Sequence, residues 1–193
     1  MLGLGACATD TSGGGVGPRG HASRARIRME NRSLVRVCFV CLGNICRSPT
    51  AEGIMQSLVA EAGLETHVEV DSAGTEAYHV GERADERSRS TAKRRGVTLQ
   101  SRGRQFEIAD FGLFDYVLAM DHENLARLHD RARSDAEREK TMLLRAFEGE
   151  HAADEPVPDP YYGGPSGFED VFDICERACR GLLEHIRRTH GLD

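Results

Sequence analysis

Nowhere in the 193 residues does an apolar run approach the ~20 residues that cross a bilayer, so no membrane-inserted helix is expected. The basic residues form no clustered stripe and the net charge is −6, which argues against nucleic acid as a partner. Leu4-Gly5-Ala6-Cys7 superficially resembles a lipoprotein cleavage site, yet no charged start and no apolar core precede it. Without a signal peptide, six cysteines in a mixed chain point to a reducing compartment, and the expected location is the cytoplasm, with signal-less secretion left open. No histidine has ligand spacing near Cys38, Cys41 and Cys46, so a zinc or dithiol module lacks four converging ligands. No metal and no cofactor are expected. Aromatic residues make up only 6% of the chain, which makes any local gathering of tyrosines informative.

Residues 1–33 are rich in Gly, Ser and Arg and show no hydrophobic period, the composition of a disordered arm. Met29 lies just before the first strand and is an alternative start. Residues 34–193 are long enough for a single well-buried domain.

Within that domain apolar periodicity alternates between strand-like and helix-like stretches. Strands are expected at Leu34 to Val40, His67 to Asp71, Asp115 to Met120 and Thr141 to Phe147. Helices are expected at Pro49 to Ala62, Asp85 to Arg95, after Asp121 or His122, near Ser134 to Glu139, and at Phe168 to Thr189. The helix at Asp85 to Arg95 is conspicuously basic. This alternation implies an α/β fold, a three-layer arrangement with a parallel sheet flanked by helices, whose ligands bind beyond the strand C-termini.

The most informative stretch runs from Val35 to Glu52, where an apolar strand leads through Cys41-Leu42-Gly43-Asn44-Ile45-Cys46-Arg47 into Ser48-Pro49 and a helix. Ser48 is expected to cap that helix, with Pro49 at its first position. Gly43 and Asn44 tolerate the left-handed backbone that a loop with inward-facing N–H groups requires. Such a loop traps an oxyanion, because the helix N-terminus and the Arg47 guanidinium are both positive. The same charges favour the thiolate of Cys41, and the planar fork of Arg47 suits two phosphate oxygens at once.

The string CLGNICRSPTAE, together with Asp159-Pro-Tyr-Tyr-Gly163, resembles the low-molecular-weight protein tyrosine phosphatase family, and the resemblance extends from about Val35 to the last helix. It implies a four-stranded parallel sheet with the phosphate-binding loop after the first strand. It further implies phosphotyrosine hydrolysis through a phosphocysteine, with Cys41 as nucleophile, Arg47 as phosphate clamp and Asp159 as general acid and base. An apolar or anionic neighbourhood is expected around Asp159, to keep it protonated at the outset. Leu42, Gly43, Asn44, Ile45 and Cys46 form the loop, Ser48 supports the Cys41 sulfur, and Ser72 is a tie for Asn44. Tyr78, Tyr161 and Tyr162 are the implied walls of the substrate slot. A reversible Cys41–Cys46 disulfide is a further implication, whereas Cys175 and Cys179 read as core. The implied partners are phosphotyrosine proteins, a tyrosine autokinase among them, acted on by a monomer or weak homodimer.

Some segments depart from the family's pattern: Asp121-His122-Glu123-Asn124, the residues before Arg104-Gln105, and the charged run Glu82 to Arg89. They leave substrate choice open. Protein-arginine phosphatases and arsenate reductases share the fold and remain alternatives, although Ile45 and the tyrosine pair favour phosphotyrosine.

Overall fold

The computed structural model describes residues 34–192; the expected arm at 1–33 and the Met29 start lie outside the described residues. Strand β1 (Val35–Cys41) is buried almost throughout because it is central and covered on both faces, the setting that produces an unbroken apolar run. It pairs in parallel with β2 (Val68–Gly74) on one side and β3 (Tyr116–Ala119) on the other, and β3 pairs in parallel with β4 (Thr141–Leu143). The order β2-β1-β3-β4 reverses direction between β1 and β3, so the crevice at the C-terminus of β1 is the topological switch point.

Six helices accompany the sheet among the described residues: α1 (Arg47–Glu61), α2 (Glu86–Arg94), α3 (Asp110–Leu113), α4 (His122–Arg131), α5 (Asp135–Glu139) and α6 (Pro165–His190). The period of two along β1 divides the core. Val35, Val37, Phe39 and Cys41 pack with Ile54, Met55 and Leu58 of α1 and with Cys175, Leu182 and Ile186 of α6. Cys38 and Val40 face the opposite way, into Phe106, Phe111, Phe114 and Leu128. None of these helices is long and apolar enough to cross a membrane.

Helix α3 is absent from the sequence-based expectation, and three bounds move by three residues or more. β2 continues to Gly74 because Ser72, Ala73 and Gly74 remain in register with Phe39, Val40 and Cys41. β4 stops at Leu143, and Leu144–Phe147 is a 3₁₀ turn; its apolar side chains serve the core without pairing to the sheet. α6 begins at Pro165, a turn earlier than its apolar face suggests.

Two contacts in this frame are sensitive to single substitutions. Gly181 lets α6 meet the 3₁₀ turn, since a Cβ there would lie 1.9 Å from the Phe147 carbonyl oxygen. Glu52, 5% exposed on α1, accepts from Ser72 Oγ of β2 at 2.5 Å and from Gln56 Nε2 at 3.1 Å. Burial pushes its carboxyl above the ordinary glutamate range, and the bond from Ser72 only partly opposes this.

Gly181→Ala is expected to destabilise the fold by about 1–3 kcal/mol through overpacking, read as a lower denaturant midpoint. Gly112→Ala, where a Cβ meets nothing within 4 Å, is the control. For Glu52 the folded state binds the proton more tightly than the unfolded one. Its contribution is therefore full below the unfolded pKa of ~4.3 and is lost as pH rises through the raised folded value. Denaturation at a series of pH values should show wild type losing stability relative to Glu52→Gln over that window; a constant difference would refute the assignment.

Candidate active site

The loop after β1 is shaped by where its carbonyls go. Those of Cys41, Leu42 and Ile45 accept from the N–H groups of Thr75 (2.8 Å), Glu76 (3.0 Å) and Asp85 (2.7 Å), all outside the loop. Because a trans peptide sets its N–H opposite its C=O, the N–H groups of Leu42, Gly43 and Cys46 turn to the loop interior. Asn44 makes the bend with φ of 56°, the left-handed conformation expected of it. Gly43 has no positive φ. It is required by a close approach, since a Cβ would lie 2.9 Å from Cδ2 of His79.

A second correction concerns Ser48. Helix α1 begins at Arg47, its N-cap is Cys46, and no side chain caps it, so Pro49 is the third helical residue, where its missing N–H is still no loss. The hydroxyl of Ser48 instead lies 3.0 Å from Cys41 Sγ and accepts from Asn44 Nδ2 at 2.9 Å, which leaves its own proton for the sulfur. The Asn44 backbone N–H also donates to Cys41 Sγ, at 3.2 Å. The second amide proton of Asn44 goes to Ser72 Oγ at 2.8 Å, and Ser72 in turn donates to Glu52. On its other side Asn44 Oδ1 accepts the Arg104 N–H at 2.9 Å, while the Arg104 guanidinium is held by Asp71 and Asp110. The side-chain amide and the backbone N–H of Asn44 are thus committed, and the sulfur sits at the end of a hydrogen-bond chain.

Arg47 is 3% exposed. Its Nη1 donates to Asp121 Oδ2 and to the Val157 carbonyl, at 3.2 Å, and its Nη2 to Asp159 Oδ2 at 2.9 Å. Burial alone would lower the pKa of the guanidinium, but Cys41, Asp159 and Asp121 outweigh it and hold the charge in place. The expectation of an apolar or anionic neighbourhood for Asp159 is therefore not met: its partner is a cation, and its Oδ1 accepts the Tyr161 N–H at 3.0 Å.

Cys41, Arg47 and Asp159 open onto one cavity of about 250 Å³. Leu42, Gly43, Ile45, Cys46, Tyr78, Tyr161 and Tyr162 line it too, so the structure brings together nearly every side chain expected from the sequence. Ser48 and Ser72 stand behind the loop. Buried Cys41 and Arg47 form the floor, and the exposed tyrosines form the rim, with Tyr78 at 70% and Tyr162 at 96% exposure. Cys46 is a free thiol whose pKa burial pushes up to about 12, and Cys175 and Cys179 are fully buried in α6, the core role expected of them.

Sequence reasoning missed two neighbours. Asp121 was legible only as the start of α4, which it caps by accepting the Asn124 N–H at 2.7 Å, yet its other oxygen holds Arg47. A cap residue directly after a parallel strand was the available signal. His79, which lines the cavity and lies 2.9 Å through Nδ1 from Glu82, carried no signal.

Comparison with known proteins agrees with this geometry. A low molecular weight protein-tyrosine-phosphatase of Streptomyces coelicolor is 44% identical over 153 residues, covering 79% of this chain and 93% of that one. A crystal structure of a protein tyrosine phosphatase from Entamoeba histolytica superposes with a TM-score of 0.75 at 41% identity, covering 82% of this chain and 99% of that one. An arginine phosphatase of Drosophila superposes at 0.72 with 35% identity, over 78% of this chain and 97% of that one. The sequence model of the low molecular weight phosphotyrosine protein phosphatases matches residues 36–191, and the chain belongs to that family.

Proposed function

We propose that this chain hydrolyses phosphotyrosine in proteins by two in-line displacements at phosphorus. The observation that carries this reading is the convergence of Cys41, Arg47 and Asp159 on one cavity rimmed by tyrosines. An incoming phosphate dianion competes with Asp159 and Asp121 for the Arg47 fork and meets the inward N–H groups of the loop. As the Cys41 thiolate forms the S–P bond, the P–O bond breaks and Asp159 gives its proton to the departing phenolic oxygen. In the second step Asp159 takes a proton from the attacking water while phosphorus leaves Cys41. The Ser48 hydroxyl and Asn44 N–H then stabilise the returning thiolate. The phosphate that displaces Asp159 from Arg47 also supplies the anionic neighbour that favours the protonated acid.

Substrate choice rests on the walls. Ile45, Tyr78 and Tyr161 offer apolar surface to a ring standing on the loop, whereas a phosphoserine would draw its peptide backbone down among the tyrosines. The Drosophila neighbour makes phosphoarginine the nearest alternative. Arsenate reduction would need further thiols free to reach Cys41; Cys46 shares its cavity, but Cys175 and Cys179 are buried in the core. On this reading residues 34–193 act as one catalytic domain.

In excess EDTA, phosphotyrosine peptides are expected to turn over faster than phosphoserine or phosphoarginine peptides. Cys41→Ser should abolish turnover, and Asp159→Ala should slow it by about 10²–10⁴-fold. A preference for phosphoarginine would overturn the substrate assignment and leave the mechanism standing.

A further inference from the structure

Arg87, at the start of the basic helix α2, takes no part in the mechanism above, yet it lies between its two halves. Asp85 caps α2, accepting the Arg87 N–H at 2.8 Å, and its own N–H donates to the Ile45 carbonyl of the phosphate loop at 2.7 Å. The Asp85 carboxylate then holds the Arg87 guanidinium on two sides, from Nε at 3.0 Å and Nη2 at 2.9 Å. The third nitrogen, Nη1, donates to the Tyr161 carbonyl at 3.1 Å. Tyr161 in turn donates its N–H to Asp159 Oδ1. The guanidinium also stacks between rings, its carbon 5.5 Å from the Tyr161 centroid and 4.5 Å from that of Phe168.

From these contacts we infer that Arg87 is a positioning residue for the general acid, a bracket that sets the Asp159 segment at a fixed distance from the nucleophile loop. The inference rests on the phosphatase reading. An unbroken chain runs from the Ile45 carbonyl through Asp85, Arg87 and Tyr161 to the Asp159 carboxylate, and two of its links, Ile45–Asp85 and Arg87–Tyr161, join segments distant in sequence. Arg87 suits the task because a planar fork binds Asp85 with one edge and still presents a nitrogen to Tyr161. A lysine offers one point charge and cannot do both. As an exposed ion pair, Arg87–Asp85 contributes little to folding. Its effect lies in geometry, where misplacement of a reacting group slows the step that uses it.

That step is transfer of the Asp159 proton to the leaving oxygen as S–P forms and P–O breaks, so the signature is dependence on the leaving group. Phenyl phosphate needs the proton, because phenolate is a poor leaving group; 2,4-dinitrophenyl phosphate does not. Arg87→Met is expected to lower kcat/KM for phenyl phosphate about 10-fold or more while changing that for the dinitrophenyl ester less than about 2-fold. Arg87→Lys should show the same selective loss, and in an Asp159→Ala background Arg87→Met should add none. The ratio of the two substrates is independent of the fraction of folded enzyme, so a simple folding defect leaves it unmoved. Equal loss on both esters, or loss on neither, overturns the inference with the phosphatase reading intact. A wild type inert to both esters overturns the reading and the inference together.

Discussion

A buried guanidinium has to be matched by negative charge, and the placement of Arg47 imposes that requirement on the whole catalytic end of the domain. Removing such a charge from water costs several kcal/mol unless partners are fixed around it. Here the partners come from Asp121 at the end of β3, the Val157 carbonyl, and Asp159 two residues further on. The strand order, the start of α1 and the segment leading into α6 are therefore tied at a single side chain. The same arrangement prepares the site for exchange. On the proposed mechanism a phosphate is a third anion for the same fork, and its arrival releases one carboxylate at the point where a proton donor is needed.

A polar chain behind the loop plays the complementary part. Glu52, Ser72, Asn44 and Ser48 connect α1, β2, the loop and the Cys41 sulfur through successive short hydrogen bonds. Asn44 donates to both serine oxygens, and the Ser48 proton then has two acceptors in reach, the sulfur at 3.0 Å and the Ala73 carbonyl at 3.4 Å, of which the sulfur is the nearer. Burying this much polarity is tolerable because no member of the chain is left unpaired, and a half-satisfied version would be worse than an apolar core. Rigidity around the Cys41 sulfur follows from that full pairing, while the raised pKa of Glu52 comes from its burial and is opposed by the bond from Ser72.

Legibility in the sequence tracked how local each interaction is. Strand β1 could be read because both faces are buried and its apolar run is continuous, and the loop because its composition and spacing are confined to a dozen residues. Errors arose where one residue type serves two ends. Ser48 has the chemistry of a cap but turns to the sulfur, and Gly43 has the chemistry of a positive φ but makes room for His79. Leu143-Leu144 reads as strand by hydrophobicity, and only the neighbouring strand decides where pairing stops. Asp121 and Arg87 act on residues more than seventy positions away, and the local pattern marks them only as residues at helix starts.

The division between floor and rim has a consequence for how such a site changes its substrate. The floor residues are locked by charge balance and hydrogen-bond pairing, so a substitution at Arg47, Asn44 or Ser72 leaves a buried group unmatched. The rim is different: Tyr78 and Tyr162 are largely solvent-exposed, and no buried polar group depends on them. Exposed aromatic walls can be exchanged at little cost to stability, which separates substrate choice from chemistry. Asp159 stands at the boundary, with one oxygen on the buried arginine and the other on the backbone of a rim tyrosine. Any rearrangement of the rim must therefore preserve the Tyr161 backbone even where it replaces the ring, and the Arg87 contact to that carbonyl is the physical means by which it does so.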